Sequence, residues 1–322
     1  MVRSATIATP PEILEGPPVK LCHRDSTVLL VVGLALCAVA ARAQSTPIVL
    51  ADVDHRKSLS LDGEWHIILD PYDRGLYNFH REIRKDGYFL NAAPQPGDNS
   101  LVEYDFSKSP TIKVPGDWNT QRDTLFNYEG LMWYQRYFEY QQPPGHKTFL
   151  HIGAANYRSI FWVNGERACE YEGGFTSFDC EVTNLVHAGR NFVVAAVDDT
   201  RQADGVPTLN TDWFNYGGLT RDVSLIDVPA KFIDAYDLHL NSTRTMIEGR
   251  VHVQDGLPGE NVSVSIPELN LTTTAILDAA SQASIALVPK SLTLWSPKQP
   301  KLYQVFLTAG LDTLEDDIVF CV

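Results

Sequence analysis

The segment from Asp212 to Gly218 is the most informative stretch of this chain. It carries one carboxylate, three aromatic rings, one amide and two glycines. A carboxylate accepts two charge-assisted hydrogen bonds from vicinal hydroxyl groups, and an aromatic ring offers a large apolar face that suits the C–H face of a sugar. The segment therefore offers side chains that suit a ligand with hydroxyl groups on one edge and an apolar face. The alternative is that Asp212 only caps a turn, as aspartate often does in loops.

Four tryptophans are candidates for a sugar-stacking surface, namely Trp118, Trp133, Trp162 and Trp213. Core packing is the ordinary position for tryptophan in a sandwich strand, because its side chain is highly buried on average. Trp162 lies in the middle of a strand pattern and is assigned to the core. Trp213 is the tryptophan that we expect to meet a ligand.

The cysteines and histidines indicate neither a metal site nor a cofactor. Cys22 and Cys37 fall in the N-terminal leader described below, which leaves Cys169, Cys180 and Cys321. An oxidising compartment would permit a Cys169–Cys180 bridge across a hairpin. The odd count argues against a disulfide scaffold, and buried free thiols are the favoured interpretation. No pair has C-x-x-C spacing and no histidine lies near at ligand spacing, so we expect no metal.

Residues 1–43 have the pattern of a secretory signal peptide. Basic residues precede a short apolar run, and Ala41-Arg42-Ala43 offers small residues at the positions that a signal peptidase reads. The apolar run is about 13 residues, which is short for a helix that crosses a hydrocarbon core of ~30 Å. We expect the mature chain to begin at Gln44 and to be periplasmic or extracellular, with a bacterial-type leader. An uncleaved membrane anchor is the alternative.

The formal net charge of -14 at pH 7 describes an acidic protein. Such a protein repels nucleic acid and anionic membranes. We therefore expect no nucleic-acid partner and, after removal of the leader, no membrane partner.

The remaining sequence predicts an all-β fold in two domains. Short runs rich in Val, Ile, Phe, Tyr and Thr alternate with Gly, Pro, Asn and Asp. Asn164-Gly165 is typical of a type I′ hairpin turn, and Val262–Ile266 alternates apolar and polar side chains as a half-buried strand does. We expect a linker over residues 44–58, a first β-sandwich over 59–229, and a second over 230–322.

Six short motifs follow one another along the chain: Ser60–Trp65, Val114–Asn119, Tyr128–Arg136, Val163–Glu166, Asp212–Val223 and Leu294–Pro297. In this order they resemble motifs of family 2 glycoside hydrolases, which include β-galactosidases, β-glucuronidases and β-mannosidases. The resemblance implies a jelly-roll, galactose-binding-like sandwich followed by an immunoglobulin-like sandwich.

The resemblance also implies roles for the first segment. Asp212 aligns with an acidic residue that, in the galactosidases and glucuronidases, reaches the active site and binds substrate hydroxyl groups. Trp213, Asn215 and Tyr216 are the further substrate-binding candidates, although Asn215 and Tyr216 suit loop support equally well. The family's two catalytic glutamates lie on a barrel that we expect this chain to lack, so no catalytic residue is assigned.

The expected function is therefore that of the N-terminal part of a family 2 enzyme. Such an enzyme hydrolyses O-glycosyl bonds of the β-galactoside or β-glucuronide type, and this part is expected to be inactive alone and to bind carbohydrate weakly. The alternatives are a stand-alone exported carbohydrate-binding module and an immunoglobulin-like interaction protein. We also expect an exposed apolar patch at Ile318, Phe320 and Val322 that drives self-association.

Overall fold

A computed structural model of the protein describes residues 47–77, 80–82 and 105–321, which form two β-sandwiches. The all-β prediction is confirmed for these residues. The predicted signal peptide over residues 1–43, the predicted start at Gln44, and Val322 lie outside them. In the described part of the chain, no helix is both long and apolar enough to serve as a membrane span.

The first sandwich is built from short antiparallel strands, a one-turn helix α1 (Trp118–Gln121) and 3₁₀ turns at Val53–His55, Phe106–Lys108 and Asp123–Leu125. Its described strands are β1 (Ser58–Ser60), β2 (Gly63–Asp70), β3 (Thr111–Val114), β4 (Leu131–Tyr140), β5 (His146–Ile152), β6 (Ala155–Asn156), β7 (Arg158–Val163), β8 (Glu166–Glu172), β9 (Phe178–Glu181), β10 (Gly189–Asp198), β11 (Gly218–Leu219) and β12 (Val223–Pro229).

Two sheets face each other across the core of the first sandwich. One sheet has the strand order β1-β12-β5-β9 and the other has the order β3-β2-β4-β10-β7-β8. The core between them combines Trp65 and Tyr134 from the larger sheet with Leu150 and Leu225 from the smaller one. β6 and β11 form a separate two-stranded pair. β11 directly follows the segment that contains Asp212.

The larger sheet is buried on both faces, and the sequence of β10 reflects this. Val193 joins the core between the sheets. Val194, on the opposite face, joins a second buried cluster with Trp133 and Trp162, whose ring centroids lie 5.5 Å apart. A strand covered on both sides is apolar throughout and does not alternate.

The hairpin predicted at Asn164-Gly165 is confirmed. β7 and β8 pair on either side of this dipeptide. Asn164 has φ +51 and Gly165 has φ +86, so both central residues have the positive φ that a type I′ turn requires.

Cys169 and Cys180 form a disulfide, with Cα atoms 5.9 Å apart. Cys169 lies on β8, an edge strand of the larger sheet, and Cys180 lies on β9, an edge strand of the smaller sheet. The free-thiol interpretation was therefore wrong. β9 pairs with β5 and not with β8, so the bridge does not cross a hairpin but joins the two sheets. Cys321 is free and exposed.

The second sandwich is smaller and follows directly along the chain. Its strands are β13 (Phe232–Leu240), β14 (Ile247–Gln254), β15 (Asn261–Ile266), β16 (Leu271–Ile276), β17 (Gln282–Leu287), β18 (Tyr303–Ala309) and β19 (Asp312–Ile318), with a 3₁₀ turn at Pro267–Leu269. The sheet β13-β14-β17 packs on the sheet β16-β15-β18-β19. In β15, Val262, Val264 and Ile266 are buried, as the alternating pattern predicted.

The end of the described chain is a hairpin and not one long strand. β18 and β19 pair around Gly310, whose φ is +59. Phe320 is only 2% exposed, and its ring centroid lies 5.8 Å from that of Tyr303. Ile318 packs partly buried against the same core. The expectation that Phe320 is exposed was wrong, because the chain folds onto the core after β19. Self-association stays a prediction.

Arg56 fastens the segment that enters the first sandwich to the second sandwich. Its two terminal nitrogens lie 3.1 and 3.2 Å from the carboxylate oxygens of Asp312. One of them also donates to the carbonyl oxygen of Ile233 at 2.8 Å. The side chains of Arg56 and Asp312 are 5% and 6% exposed. Because both charges are shielded from water, their loss of hydration must be offset by the ion pair and by the hydrogen bonds of both groups to the backbone of Ile233.

Loss of the disulfide should lower the stability of the first sandwich. We expect the double variant Cys169→Ala/Cys180→Ala to lose about 2–3 kcal/mol of unfolding free energy, because the bridge restricts the unfolded chain by closing a short loop. The two cysteines are 11 residues apart. Urea unfolding followed by tryptophan fluorescence measures the change. Cys321→Ala is the matched control and should leave the midpoint unchanged; equal midpoints for the two variants would contradict a structural role for the bridge.

Candidate functional site

Residues 211–217, called the Asp212 loop below, lie in the connection between β10 and β11. Asp212, Trp213 and Tyr216 are exposed to solvent, with Trp213 61% and Tyr216 48% exposed. Within the described ranges, Asp212 has no hydrogen bond or ion pair. Its carboxylate is therefore available to a ligand. Its substrate-binding role stays a prediction.

The tryptophans divide as the sequence predicts. Trp118, Trp133 and Trp162 are between 0% and 1% exposed, and each is part of a buried cluster. Trp213 alone of these four candidates offers its ring to solvent. Of the four, only Trp213 can therefore stack on a sugar ring.

Asn215 does not fit the substrate-binding role expected for it. Its side chain is 3% exposed. The amide nitrogen donates to the carbonyl oxygen of Asp199 at 2.6 Å, and the amide oxygen accepts from the side chain of Asn156 at 3.0 Å. Asn156 also donates to the carbonyl oxygen of Tyr216 at 2.7 Å. Asn215 is thus a residue that holds the loop, which was the alternative interpretation.

Asn119 ties the Asp212 loop to a second loop. Its amide oxygen accepts from the backbone N–H of Gly217 at 3.0 Å. Its amide nitrogen donates to the carbonyl oxygens of Leu125 and Tyr128, both at 3.1 Å. Asn119 is 2% exposed, and the partners of its side-chain amide are all backbone groups. Sequence reasoning missed this role; its only signal was the position of Asn119 in a family motif.

The two glycines after Tyr216 have different reasons for being glycine. A Cβ at Gly217 would stand 1.9 Å from the ring of Trp118 and 2.5 Å from Oδ2 of Asp199. Gly217 therefore permits a close approach of the loop backbone to the core. Gly218 has φ +133, a conformation that side chains disfavour.

Three aromatic rings form a continuous surface beside Asp212. The ring centroid of Phe214 lies 5.0 Å from that of Phe126 and 4.9 Å from that of Tyr216. Phe126 is 53% exposed. Offset and tilted contacts of this kind are favourable between aromatic rings. Together with Trp213, they make this edge of the first sandwich apolar and ring-lined.

Asp199 lies directly beneath the loop and was not singled out in the sequence. It is 1% exposed, and its Oδ1 accepts from the backbone N–H of Gly130 at 2.8 Å. Burial, helped by the neighbouring charges of Glu129 and Asp198 and opposed by the hydrogen bond from Gly130, raises the pKa of Asp199 to about 8. This shift favours the protonated acid at neutral pH.

Arg201 links the loop to the segment that precedes β4. Its guanidinium lies 3.2 Å from a carboxylate oxygen of Glu129 and 3.5 Å from the carbonyl oxygen of Trp213. The second contact is at the limit of a hydrogen bond. Arg201 therefore supports the exposed half of the loop, next to Trp213.

A polar cavity of about 240 Å³ lies beside the same connection, and its walls include Tyr157, Glu172, Asp198 and Asp204. Arg158, the only basic group in its lining, pairs with Glu170. The cavity is therefore acidic and repels anions. Over the described residues, no group of three or more His, Cys, Asp or Glu side chains is placed to hold a metal ion.

Comparison with known proteins places this geometry in context. A family model described as glycosyl hydrolases family 2, sugar binding domain, matches residues 59–229. The β-glucuronidase of Rattus norvegicus is 27% identical over 240 residues, which cover 66% of this chain and 35% of the rat protein. The β-glucuronidase of Paenibacillus borealis is 26% identical over 278 residues, which cover 77% of this chain and 41% of that protein. The chain thus spans well under half the length of these relatives.

Solved structures share the fold. The β-glucuronidase of Bifidobacterium dentium, complexed with coumarin-3-O-glucuronide, has a TM-score of 0.67 and 22% identity, covering 83% of this chain and 49% of that one. The apo β-glucuronidase of Ruminococcus gnavus has a TM-score of 0.63 and 21% identity, covering 86% of this chain and 46% of that one. At these identities the likeness concerns the fold alone.

The close approach at Gly217 yields a stability prediction. Gly217→Ala should lower the free energy of unfolding by about 2–3 kcal/mol, because the added methyl group overlaps the ring of Trp118 in a packed core. Gly205→Ala is a matched control in the same connection, where the new Cβ meets its neighbours at 3.3 Å or more, and it should cost less than about 1 kcal/mol. Thermal unfolding of both variants measures the difference. Similar losses would show that the contact with Trp118 is not tight.

Proposed function

The chain belongs to glycosyl hydrolase family 2, and we propose that the Asp212 loop is its contribution to a β-glycosidase site that hydrolyses O-glycosyl bonds. One observation carries the proposal. An unpaired, exposed carboxylate and an exposed indole ring stand next to each other, at Asp212 and Trp213, on a loop that is held from below by buried hydrogen bonds. A loop held in this way keeps its exposed side chains in place before the sugar arrives, which lowers the entropy cost of binding.

The proposed contribution is binding and orientation of one sugar ring. The carboxylate of Asp212 accepts hydrogen bonds from two vicinal hydroxyl groups. Trp213 packs against the C–H face of the ring, and the hydroxyl group of Tyr216 supplies a further polar contact at the edge. None of these groups donates a proton to the leaving oxygen. They hold the ring so that catalytic groups meet the glycosidic bond in a productive geometry.

We propose a β-glucuronide as the substrate, with a β-galactoside as the alternative. The relatives described above are named β-glucuronidases, which supports this choice. The carboxylate of a glucuronide would be repelled by Asp212, since like charges at close range raise the energy of the complex. The hydroxyl edge of the sugar, and not its carboxylate, should therefore face Asp212.

Bond cleavage requires groups that the Asp212 loop does not supply. Retaining hydrolysis needs two carboxyl groups roughly 5–5.5 Å apart on either side of the glycosidic bond. The loop offers Asp212 as its single carboxylate, and Asp199 beneath it is buried. We propose that this chain alone is inactive and that a catalytic barrel of the family's kind supplies the acid and the nucleophile.

We propose that the protein functions in an oxidising compartment outside the cytoplasm. The disulfide between Cys169 and Cys180 supports this, because such bonds persist mainly in exported proteins. The signal-peptide pattern of residues 1–43 agrees with it.

A stand-alone carbohydrate-binding module is the second candidate. The exposed rings of Phe126, Trp213 and Tyr216 favour it, because a surface of this kind binds glycans by stacking without any catalytic partner. The two candidates differ in whether carbohydrate binding requires a catalytic barrel. A module should bind an oligosaccharide alone, whereas an active-site fragment needs the rest of the site.

The isolated chain from Gln44 onward should not hydrolyse aryl β-glucuronides or β-galactosides above background. Binding of a monosaccharide should have a Kd in the millimolar range or weaker. The hydrogen bonds to Asp212 contribute about 0.5–1.5 kcal/mol each in water, against an association cost of at least several kcal/mol. Release of a chromogenic aglycone and isothermal titration measure the two quantities. Turnover that persists through repurification and is lost on mutation of this chain would contradict the proposal.

Supplying a barrel provides the direct test of Asp212. A fusion of this chain to the catalytic barrel of a related β-glucuronidase should be active, and Asp212→Ala should lower its kcat/KM by about 10- to 100-fold, the equivalent of one hydrogen bond to a charged group. Asp204→Ala, which removes an exposed carboxylate from the same connection between β10 and β11, is the control and should leave kcat/KM unchanged. Equal activity of the two variants would make Asp212 a turn residue only.

A further inference from the structure

The carboxyl group of Asp199 is the most unusual buried group of the first sandwich. Its Oδ1 accepts one hydrogen bond, from Gly130. Its Oδ2 is buried and has no hydrogen-bond partner among the described residues. A carboxylate oxygen without water or a donor is costly when charged, whereas a neutral carboxylic acid is far cheaper to bury. The proton therefore resides on Oδ2.

The Asp212 loop covers this oxygen. A Cβ at Gly217 would stand 2.5 Å from Oδ2, so the loop backbone separates it from solvent. The loop is also bonded to the main chain of Asp199, since Asn215 donates to the carbonyl oxygen at 2.6 Å. Movement of Gly217 away from Trp118 would therefore uncover this side of Oδ2.

The charges around Asp199 oppose its ionisation. Glu129 and Asp198 both disfavour a further negative charge. Arg201, two residues further along the chain, is engaged by Glu129 at 3.2 Å. The hydroxyl group of Tyr134 is buried nearby, and its pKa is raised by burial and by the charge of Asp199.

Two further groups complete the surroundings. The pKa of Tyr128 is raised by burial and by the charges of Asp70 and Asp199, and its hydroxyl group donates to the carbonyl oxygen of Leu131. Asp117 caps α1 through the backbone N–H of Thr120 at 2.7 Å. Neither group offers Asp199 a positive charge.

We propose that Asp199 is a positioning residue that holds the Asp212 loop closed while it is protonated, and that loss of this proton releases the loop. The proposal concerns the loop itself and stands without the sugar. Its consequence for substrate binding rests on the proposed function, because the released loop would carry Asp212 and Trp213 out of place.

The sign of the pH dependence follows from the two states of the loop. In the closed loop the pKa of Asp199 is raised from 3.8 to about 8. In the open loop the hydrated carboxyl group has its ordinary value. The open state therefore binds fewer protons than the closed state between about pH 4 and pH 8, and opening becomes easier across that range. Above about pH 8 both states are ionised and the dependence levels off.

Carbon-13 NMR of the full chain labelled at its aspartate carboxyl groups tests the protonation directly. We expect one aspartate resonance to titrate with a midpoint near 8, and to be absent from Asp199→Asn. This measurement on the unmodified chain needs no variant to fold. If every aspartate titrates below about pH 6, the carboxyl group is not protonated in the closed loop and the proposal is overturned.

Hydrogen exchange tests the release of the loop. Peptides that cover residues 211–217 should lose protection between pH 5 and pH 8, by up to about tenfold per pH unit after correction for the intrinsic rate, and should be level above pH 8. Peptides from β15 in the second sandwich should show no such change. Asp199→Asn keeps the shape and removes the titration, so its loop protection should not vary with pH.

Asp204→Asn is the matched control, because it neutralises an exposed carboxylate of the same connection and should retain the pH course of the unmodified chain. A loop that follows the same pH course with Asn at position 199 would overturn the proposal. If that variant does not fold, the comparison of the loop with β15 in the unmodified chain decides. Neither experiment uses a sugar, so failure here is separate from failure of the proposed function.

Discussion

The contact between the backbone at Gly217 and the ring of Trp118 is the constraint on which the candidate site depends. Trp118 is fully buried, so the loop backbone packs against a ring that the surrounding core holds in place. The backbone N–H of Trp118 donates to the carbonyl oxygen of Gly217 at 3.0 Å, and Asn119 accepts from the N–H of Gly217. Because the N–H and the carbonyl oxygen of Gly217 are both hydrogen-bonded, the loop that carries Asp212 and Trp213 is fixed at its C-terminal end.

This arrangement places polar groups where water does not reach them. Asn119, Asn156 and Asn215 are each no more than 3% exposed. The amides of Asn119 and Asn156 bond the loop backbone, and the amide of Asn215, on the loop, bonds the backbone of Asp199. Bonds of this kind stabilise little in themselves but are costly to break, because a buried amide left unpaired loses its hydration without compensation. The network therefore makes the loop specific in conformation. Some buried polar atoms of this region stay unsatisfied: among the described residues, Oδ2 of Asp199, the side-chain oxygen of Asn156 and the hydroxyl group of Tyr134 have no hydrogen-bond partner.

The second sandwich is attached through a buried charge pair, and the site itself lies on the first. Arg56 and Asp312 are separated by 256 residues, yet they bond each other, and each also bonds the backbone of Ile233. Removing one partner of such a pair leaves an uncompensated buried charge. The junction thus links the entry of the first sandwich to the last strand of the second, far from the Asp212 loop in sequence.

The sequence by itself determined the features that depend on residues adjacent along the chain. The turn at Asn164-Gly165 follows from the freedom of those two residues to adopt positive φ, and the family motifs identified the Asp212 segment. The tertiary structure alone decided which side chains of that segment are available. Asn215 is buried because its partners, Asn156 and Asp199, come from β6 and from the residue after β10, and Cys169 meets Cys180 because β8 and β9 belong to opposite sheets. Such contacts join groups distant along the chain, so no local pattern records them.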